Sequence, residues 1–185
     1  EHDALAAALA VGGSAAQATR FPPSGVRFLP DVGARPGTKV LLFVETNRGT
    51  LRNLSFFADF SDVELWEVLR FAAWSTIQPE QTVMRDGDAG DFFCFLIDGE
   101  LKVTKNGRML NLLTVGDCFG EMAVISKSMQ TRGADIGALT EAKIVTVKGD
   151  ALRHASETCR MHFYQAFLEV LANRLALANA RLAAL

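Results

Sequence analysis

Tight-turn dipeptides set close together in an apolar stretch leave few folds open to this chain. Between residues 85 and 148, Asp98-Gly99, Asn106-Gly107 and Gly116-Asp117 interrupt short runs rich in Phe, Leu, Ile and Val. Asn-Gly and Asp-Gly favour two-residue turns, whose central positions want φ > 0. The spacing predicts strands at Phe92–Ile97, Leu101–Lys105, Arg108–Leu113 and Ala142–Lys148, with a loop over Arg85–Asp91. Phe92–Ile97 is apolar at consecutive positions, so both its faces are expected to be covered. Closely spaced hairpins of this kind close into a roll, sandwich or barrel.

Helical patterns flank the strands. Ser61-Asp62-Val63-Glu64 reads as a capping box opening a helix to about Ala73, with Val63, Trp66, Leu69 and Phe71 on its apolar side. After the strands, Asp150–Ser156 is expected as a short helix and Cys159–Leu182 as a long one, uninterrupted by Gly or Pro. Leu168, Leu171, Leu175, Ala178, Leu182 and Leu185 recur at spacings of three and four, a heptad-like seam. A second stripe, Phe163, Phe167, Val170, Arg174 and Leu177, lies about 100° away. One stripe suits the roll and the other a partner helix. The first fifty residues read as an extension with an Ala-rich helix near 3–11, a Gly/Ser/Ala and Phe21-Pro22-Pro23 linker, and Lys39–Glu45 as a strand or short helix.

Composition narrows the function. Of 185 residues, 49% are hydrophobic and 22% charged, enough for a packed core, and a net charge of −2 advertises no nucleic-acid or anionic-membrane surface. No apolar run reaches membrane-spanning length. The three cysteines, Cys94, Cys118 and Cys159, form no CxxC and suit reduced thiols in a cytoplasmic setting. Cupin-type metalloenzymes need imidazole ligands inside the roll, yet His2, His154 and His162 all lie outside residues 81–148. No nucleophile–base pair or carboxylate dyad stands out, so no enzyme is expected. The chain opens on Glu1 rather than Met, which suits a piece of a longer protein.

The chemistry concentrates in Phe119-Gly120-Glu121-Met122-Ala123-Val124-Ile125 and Thr131-Arg132-Gly133-Ala134-Asp135. A glycine admits close approach of a ligand to backbone. A carboxylate follows it. Met122–Ser126 suits one helical turn whose first amides lack intrahelical partners. An arginine between small residues comes next. A sugar hydroxyl, a phosphate and an aromatic base would suit such a pocket.

These segments resemble the phosphate-binding cassette of cyclic-nucleotide-binding domains, and GDAGDFFCFLIDGELKV and VGDCFGE resemble the family's strands and turn leading into it. The resemblance runs in order over about residues 54–182. It implies an α+β fold: an antiparallel β-roll (a double-stranded β-helix or jelly roll) flanked by an N-terminal helix and C-terminal short and long helices. The roll is expected at about 79–148 and the helices at about 150–183, within a domain spanning 51–185. By resemblance, Arg132 pairs with a cyclic phosphate, aided by the amide of Gly133 or Ala134. Glu121 accepts from the ribose 2′-hydroxyl, Gly120 allows close approach, and Met122 and Ala123 belong to the cassette turn. Val103, Leu110, Leu113 and Cys118 wall the sugar and base. Arg174 matches an arginine near the pocket in related bacterial regulators. Asn179 matches a position that there reads the base from the partner subunit.

The implied function is a regulatory domain that takes cAMP or cGMP as ligand, needs no cofactor or metal, and signals through its long helix, as a homodimer or to an unseen effector. Gly133 stands where relatives selective for cGMP often carry Thr or Ser, which favours cAMP. Only three residues follow the long helix, so the chain as given is not expected to read DNA. The stretch from Glu121 to Arg132 is longer than the family's commonest form and no proline precedes Arg132. That departure motivates the alternative, a degenerate roll serving as a dimerisation module without nucleotide.

Overall fold

The computed structural model describes residues 45–126, 128 and 130–184. The Ala-rich helix, the linker and all of Lys39–Glu45 except Glu45 lie outside the described residues. Residues 45–52 are helical (α1), and a 3₁₀ turn follows at Ser55–Phe57. Helix α2, Asp62–Phe71, opens with the expected capping box: Ser61 Oγ accepts from the Glu64 amide at 3.3 Å, and Glu64 Oε2 accepts from the Ser61 amide at 2.7 Å.

Eight strands follow: β1 (Ala72–Ile77), β2 (Thr82–Met84), β3 (Phe92–Asp98), β4 (Leu101–Lys105), β5 (Arg108–Leu113), β6 (Cys118–Phe119), β7 (Asp135–Ala138) and β8 (Ala142–Lys148). They form two antiparallel four-stranded sheets, ordered β1-β8-β3-β6 and β2-β7-β4-β5. The short helix α3, Met122–Ile125, interrupts the roll, and α4 (Gly149–Arg153) and α5 (Glu157–Ala183) complete the chain. The expected α+β roll with its helical flanks is the observed fold.

Three local expectations change. The roll begins at Ala72 rather than near 79. The helical periodicity that suggested continuing α2 to Ala73 loses to pairing, because β1 is in register with the whole of β8, from Ala72↔Val147 to Ile77↔Ala142. Asp98-Gly99 is not a hairpin turn. β3 and β4 belong to different sheets, and Gly99 (φ 84°) carries the chain across the corner, so close to Glu141 that a side chain would strike its carbonyl. Asn106-Gly107, with φ of 51° and 73°, is the true two-residue turn, joining β4 to β5. The third change is a register shift in that hairpin. Val103 faces Asn111 and Thr104 faces Met109, which leaves Leu110 as the extra residue of a bulge.

Strand β3 explains its own composition. Phe93 and Phe95 point to the helices, where they meet Phe56, Phe57, Phe60, Phe163 and Phe167, all buried. Cys94 and Leu96 point into the roll, against Leu101, Leu113, Phe119, Ile136 and Ile144. The aromatic rings pack largely edge to face, with centroids 4.7 Å apart for Phe56–Phe95 and 5.0 Å for Phe93–Phe167. Helix α5 enters this packing through Phe163 and Phe167, the second stripe of its sequence. The Leu168, Leu175 and Leu182 positions of the first stripe stay 68%, 63% and 68% exposed.

Two carboxylates of α2 anchor the start of α5. Glu67 accepts from the amide and hydroxyl of Ser156, the N-cap of α5, both at 2.6 Å. Glu64 is 2.8 Å from His162 Nδ1. Burial pulls the Glu64 carboxyl upward, but bonds from the Ser61 hydroxyl and amide and from His162 outweigh it, and it titrates below its ordinary range. Among the described residues no helix is long and apolar enough to cross a membrane.

Candidate functional site

The cassette is laced to the 85–91 loop by backbone. The Arg132 amide donates to Asp88 O at 2.8 Å, the Gly87 amide to Arg132 O at 2.9 Å and the Gly90 amide to Gln130 O at 3.0 Å, while Ala89 bridges to Thr131. This lacing points the Arg132 side chain inward, where it is 5% exposed. Its guanidinium lies over the Phe92 ring, 4.3 Å from the centroid, and Nη1 donates to Gly120 O at 2.8 Å. Its Nη2 is buried with no hydrogen-bond partner among the described residues. Burial pulls the Arg132 pKa below the usual value, opposed by Cys94, Asp91, Glu121 and Asp88. An arginine stays protonated under such a shift. The result is a desolvated cation with one unpaired donor.

Gly120 makes the approach possible. Its φ is 79°, and a Cβ there would lie 2.8 Å from Arg132 Nη1 and 2.5 Å from Met84 Cε. Glu121 follows, 1% exposed. Its Oε1 accepts from Arg174 Nη1 at 2.6 Å, and Arg174 Nη2 donates to Cys118 O. The cassette carboxylate is thus held by an arginine of α5.

These groups border a cavity of about 380 Å³, a size suited to a small molecule. From β4 and β5 come Val103 and Leu113, from the cassette Gly120, Glu121, Met122 and Ala123, from the segment after it Arg132, Gly133 and Ala134, and from α5 Arg174. All of these were expected from sequence. Leu110, Cys118 and Asn179 are not in the lining. Leu110 and Leu113 stand three apart and cannot share a face of a regular strand. Alternation puts Asn111 on the inward face with Leu113 and leaves Leu110, at the bulge, 49% exposed. Cys118 packs among the phenylalanines on the helix side, 2% exposed, and only its carbonyl serves the site. Asn179 is exposed on α5.

Sequence reasoning missed Met84, Asn111, Phe119, Thr131 and Ile136 in the lining. A lone amide amid the apolar residues of Arg108–Leu113 was the one available signal. The three thiols are buried and free, and burial pushes Cys94 and Cys159 up to about 12 and Cys118 further from ionisation. They serve as small apolar groups. His162 is spent on Glu64. Among the described residues no three His, Cys, Asp or Glu side chains are grouped to hold a metal.

Residues 74–159 match the family model described as cyclic nucleotide-binding domain. The chain is 41% identical over 70 residues to the cAMP-dependent protein kinase regulatory subunit of Schizosaccharomyces pombe, covering 37% of this chain and 16% of that protein. It is 33% identical over 92 residues to the cGMP-dependent protein kinase of Toxoplasma gondii, covering 50% and 9%. The chain therefore spans under a fifth of the length of these two relatives, and their names divide between the two nucleotides. A cyclic nucleotide-binding domain from Methylobacillus flagellatus superposes with a TM-score of 0.65 at 20% identity, covering 76% of this chain and 82% of that one.

Proposed function

We propose, for a chain whose residues 74–159 form a domain of the cyclic-nucleotide-binding family, that the cavity beside Arg132 takes a cyclic nucleotide and reports its presence through α5. The observation that carries this reading is the buried, unpaired Nη2 of Arg132 in the cavity wall. Leaving such a donor dry costs about 1–3 kcal/mol or more for a charged group. A cyclic phosphodiester presents two non-bridging oxygens that share one negative charge, and Gly133 and Ala134 border the same cavity. Glu121 is then the acceptor for a ribose hydroxyl. Gly133 offers no hydroxyl after the arginine, which favours cAMP over cGMP.

The link to α5 runs through Arg174. A ribose hydroxyl that bonds Glu121 competes for the carboxylate that Arg174 now holds, so occupancy and helix position bias one another. A ligand shifts such an equilibrium only by its differential affinity for the two positions. The exposed Leu168, Leu175 and Leu182 give α5 a seam for a second copy of the chain, so the reporting unit is a homodimer or the helix docked on an effector. Sedimentation checks the dimer: wild type should run as two copies and Leu175→Glu as one.

Titration calorimetry with cAMP and cGMP tests the site. Wild type should bind at micromolar levels and release the nucleotide unaltered, as a domain without catalysis does. Arg132→Ala should lose about 2–5 kcal/mol, roughly 30-fold to several thousand-fold. No heat with either nucleotide would leave the second reading, a dimerisation module on the same roll, which the exposed α5 seam favours.

A further inference from the structure

Asn111 shares the inward face of β5 with Leu113, two residues on, and borders the cavity, while the Leu110 carbonyl sits at the bulge beside it. Both groups meet one side chain of α5: Arg181 Nη1 donates to Leu110 O at 3.1 Å, and Arg181 Nη2 donates to Asn111 Oδ1 at 3.4 Å. Arg181 stands seven residues beyond Arg174, two helical turns on, so one face of α5 touches the cassette with one arginine and β5 with the next. A guanidinium only donates, which fixes the amide oxygen on its side and orients the whole amide plane.

Across the cavity the polar work is divided. Arg132 and Glu121 are committed to the phosphate and sugar by the reading above, and Arg174 to Glu121. Asn111 is the side-chain amide in a lining that also holds the apolar Met84, Val103, Leu113 and Ile136 and the hydroxyl of Thr131, which is exposed at the cassette. An amide offers one donor and one acceptor, since Oδ1 keeps a second lone pair beside the one Arg181 takes. That pair complements adenine, which presents the N6 amino group as donor beside N7 as acceptor. Guanine presents two acceptors there, N7 and O6, one of which would meet the amide oxygen.

We propose that Asn111 reads the base, selecting adenine over guanine, and that Arg181 is the positioning residue that holds its amide. The proposal rests on the cavity being a cyclic-nucleotide site. It makes base selectivity depend on α5 being docked, because Arg181 arrives with the helix.

The test is competition binding of cAMP, cGMP and 7-deaza-cAMP, which lacks the N7 acceptor, to wild type, Asn111→Leu and Arg181→Gln. Wild type should prefer cAMP to cGMP and to the deaza analogue by about 10-fold, within the range of one two-point base contact. Asn111→Leu should bind the three within about twofold of one another, and Arg181→Gln should narrow the cAMP:cGMP ratio with less loss of total affinity. Because the deaza analogue probes the intact protein, a poorly folding variant does not spare the proposal. If wild type binds cAMP in an Arg132-dependent way but does not discriminate against the deaza analogue, or if Asn111→Leu weakens all three equally, the base-reading role is wrong while the nucleotide site stands. If wild type binds none of them, both fail.

Discussion

The two cores of this molecule share a sheet and are built on opposite principles. On the helix side of β3 and β8, seven buried phenylalanines interlock with Leu51, Leu65, Val145 and Cys159. On the roll side, the same strands meet Met84, Leu101, Ile136, Ala138 and Leu113, with Phe119 as the buried ring. The first core is closed, and burying each large apolar side chain contributes about 1.5–3 kcal/mol. The second stops short of filling its space, and the cavity it leaves is bordered by a desolvated arginine and a buried glutamate. The aromatic core fixes where α5 begins, through Phe163 and Phe167. Further along α5, Arg174 and Arg181 hydrogen-bond the roll. The packed aromatic core and the cavity are thereby placed on different faces of one sheet.

That division can be broken from either side. The largest effect is expected from Phe163→Ala, which should lower the unfolding free energy in guanidinium by about 3–5 kcal/mol, as deletion of a fully buried ring does. Because Phe163 also docks α5 beside the cavity, the variant's nucleotide affinity per folded molecule should fall, but far less than that of Arg132→Ala. Arg132→Ala should do the reverse, weakening binding by roughly 30-fold to several thousand-fold while shifting the midpoint by less than the phenylalanine deletion, because burial already works against the charge it removes. Equal stability losses from the two variants would show that the cores are not separable.

A smaller effect sharpens the role of the α2–α5 clamp. The Glu64 pKa is lower in the folded chain than its ordinary 4.5, so its contribution is fully present above that value and is lost as pH falls through the folded pKa. One such group changes stability by at most about 1.4 kcal/mol per pH unit. Unfolding measured between pH 6 and 3 should therefore show an acid limb that Glu64→Gln makes shallower. An unchanged limb would assign the acid sensitivity to other carboxylates.

Much of this architecture was legible in the linear chain wherever the deciding physics is local. Strands β4, β5 and β8 have the bounds read from their turns and apolar runs, because a turn dipeptide and a period of two act within a few residues. The capping box was legible for the same reason, a short pattern whose parts touch one another, whereas the cassette was legible through its resemblance to cyclic-nucleotide-binding domains. That resemblance brought Gly120, Glu121 and Arg132 to one site, and all three border the cavity.

What the chain alone left open is whatever depends on partners distant in sequence. The residues Ala72–Ile77 have no strand periodicity of their own and become β1 only by pairing with β8, some 70 residues on. The sheet change at Gly99 and the bulge at Leu110 follow from how two sheets close over each other. The Arg174–Glu121 pair spans 53 positions and exists because Phe163 and Phe167 dock α5 at the angle that brings it there. Amino-acid order determined the elements and their turns through short-range sterics and hydrogen bonding. Only tertiary packing decided what closes the cavity, since side chains far apart in sequence meet only after the cores have formed.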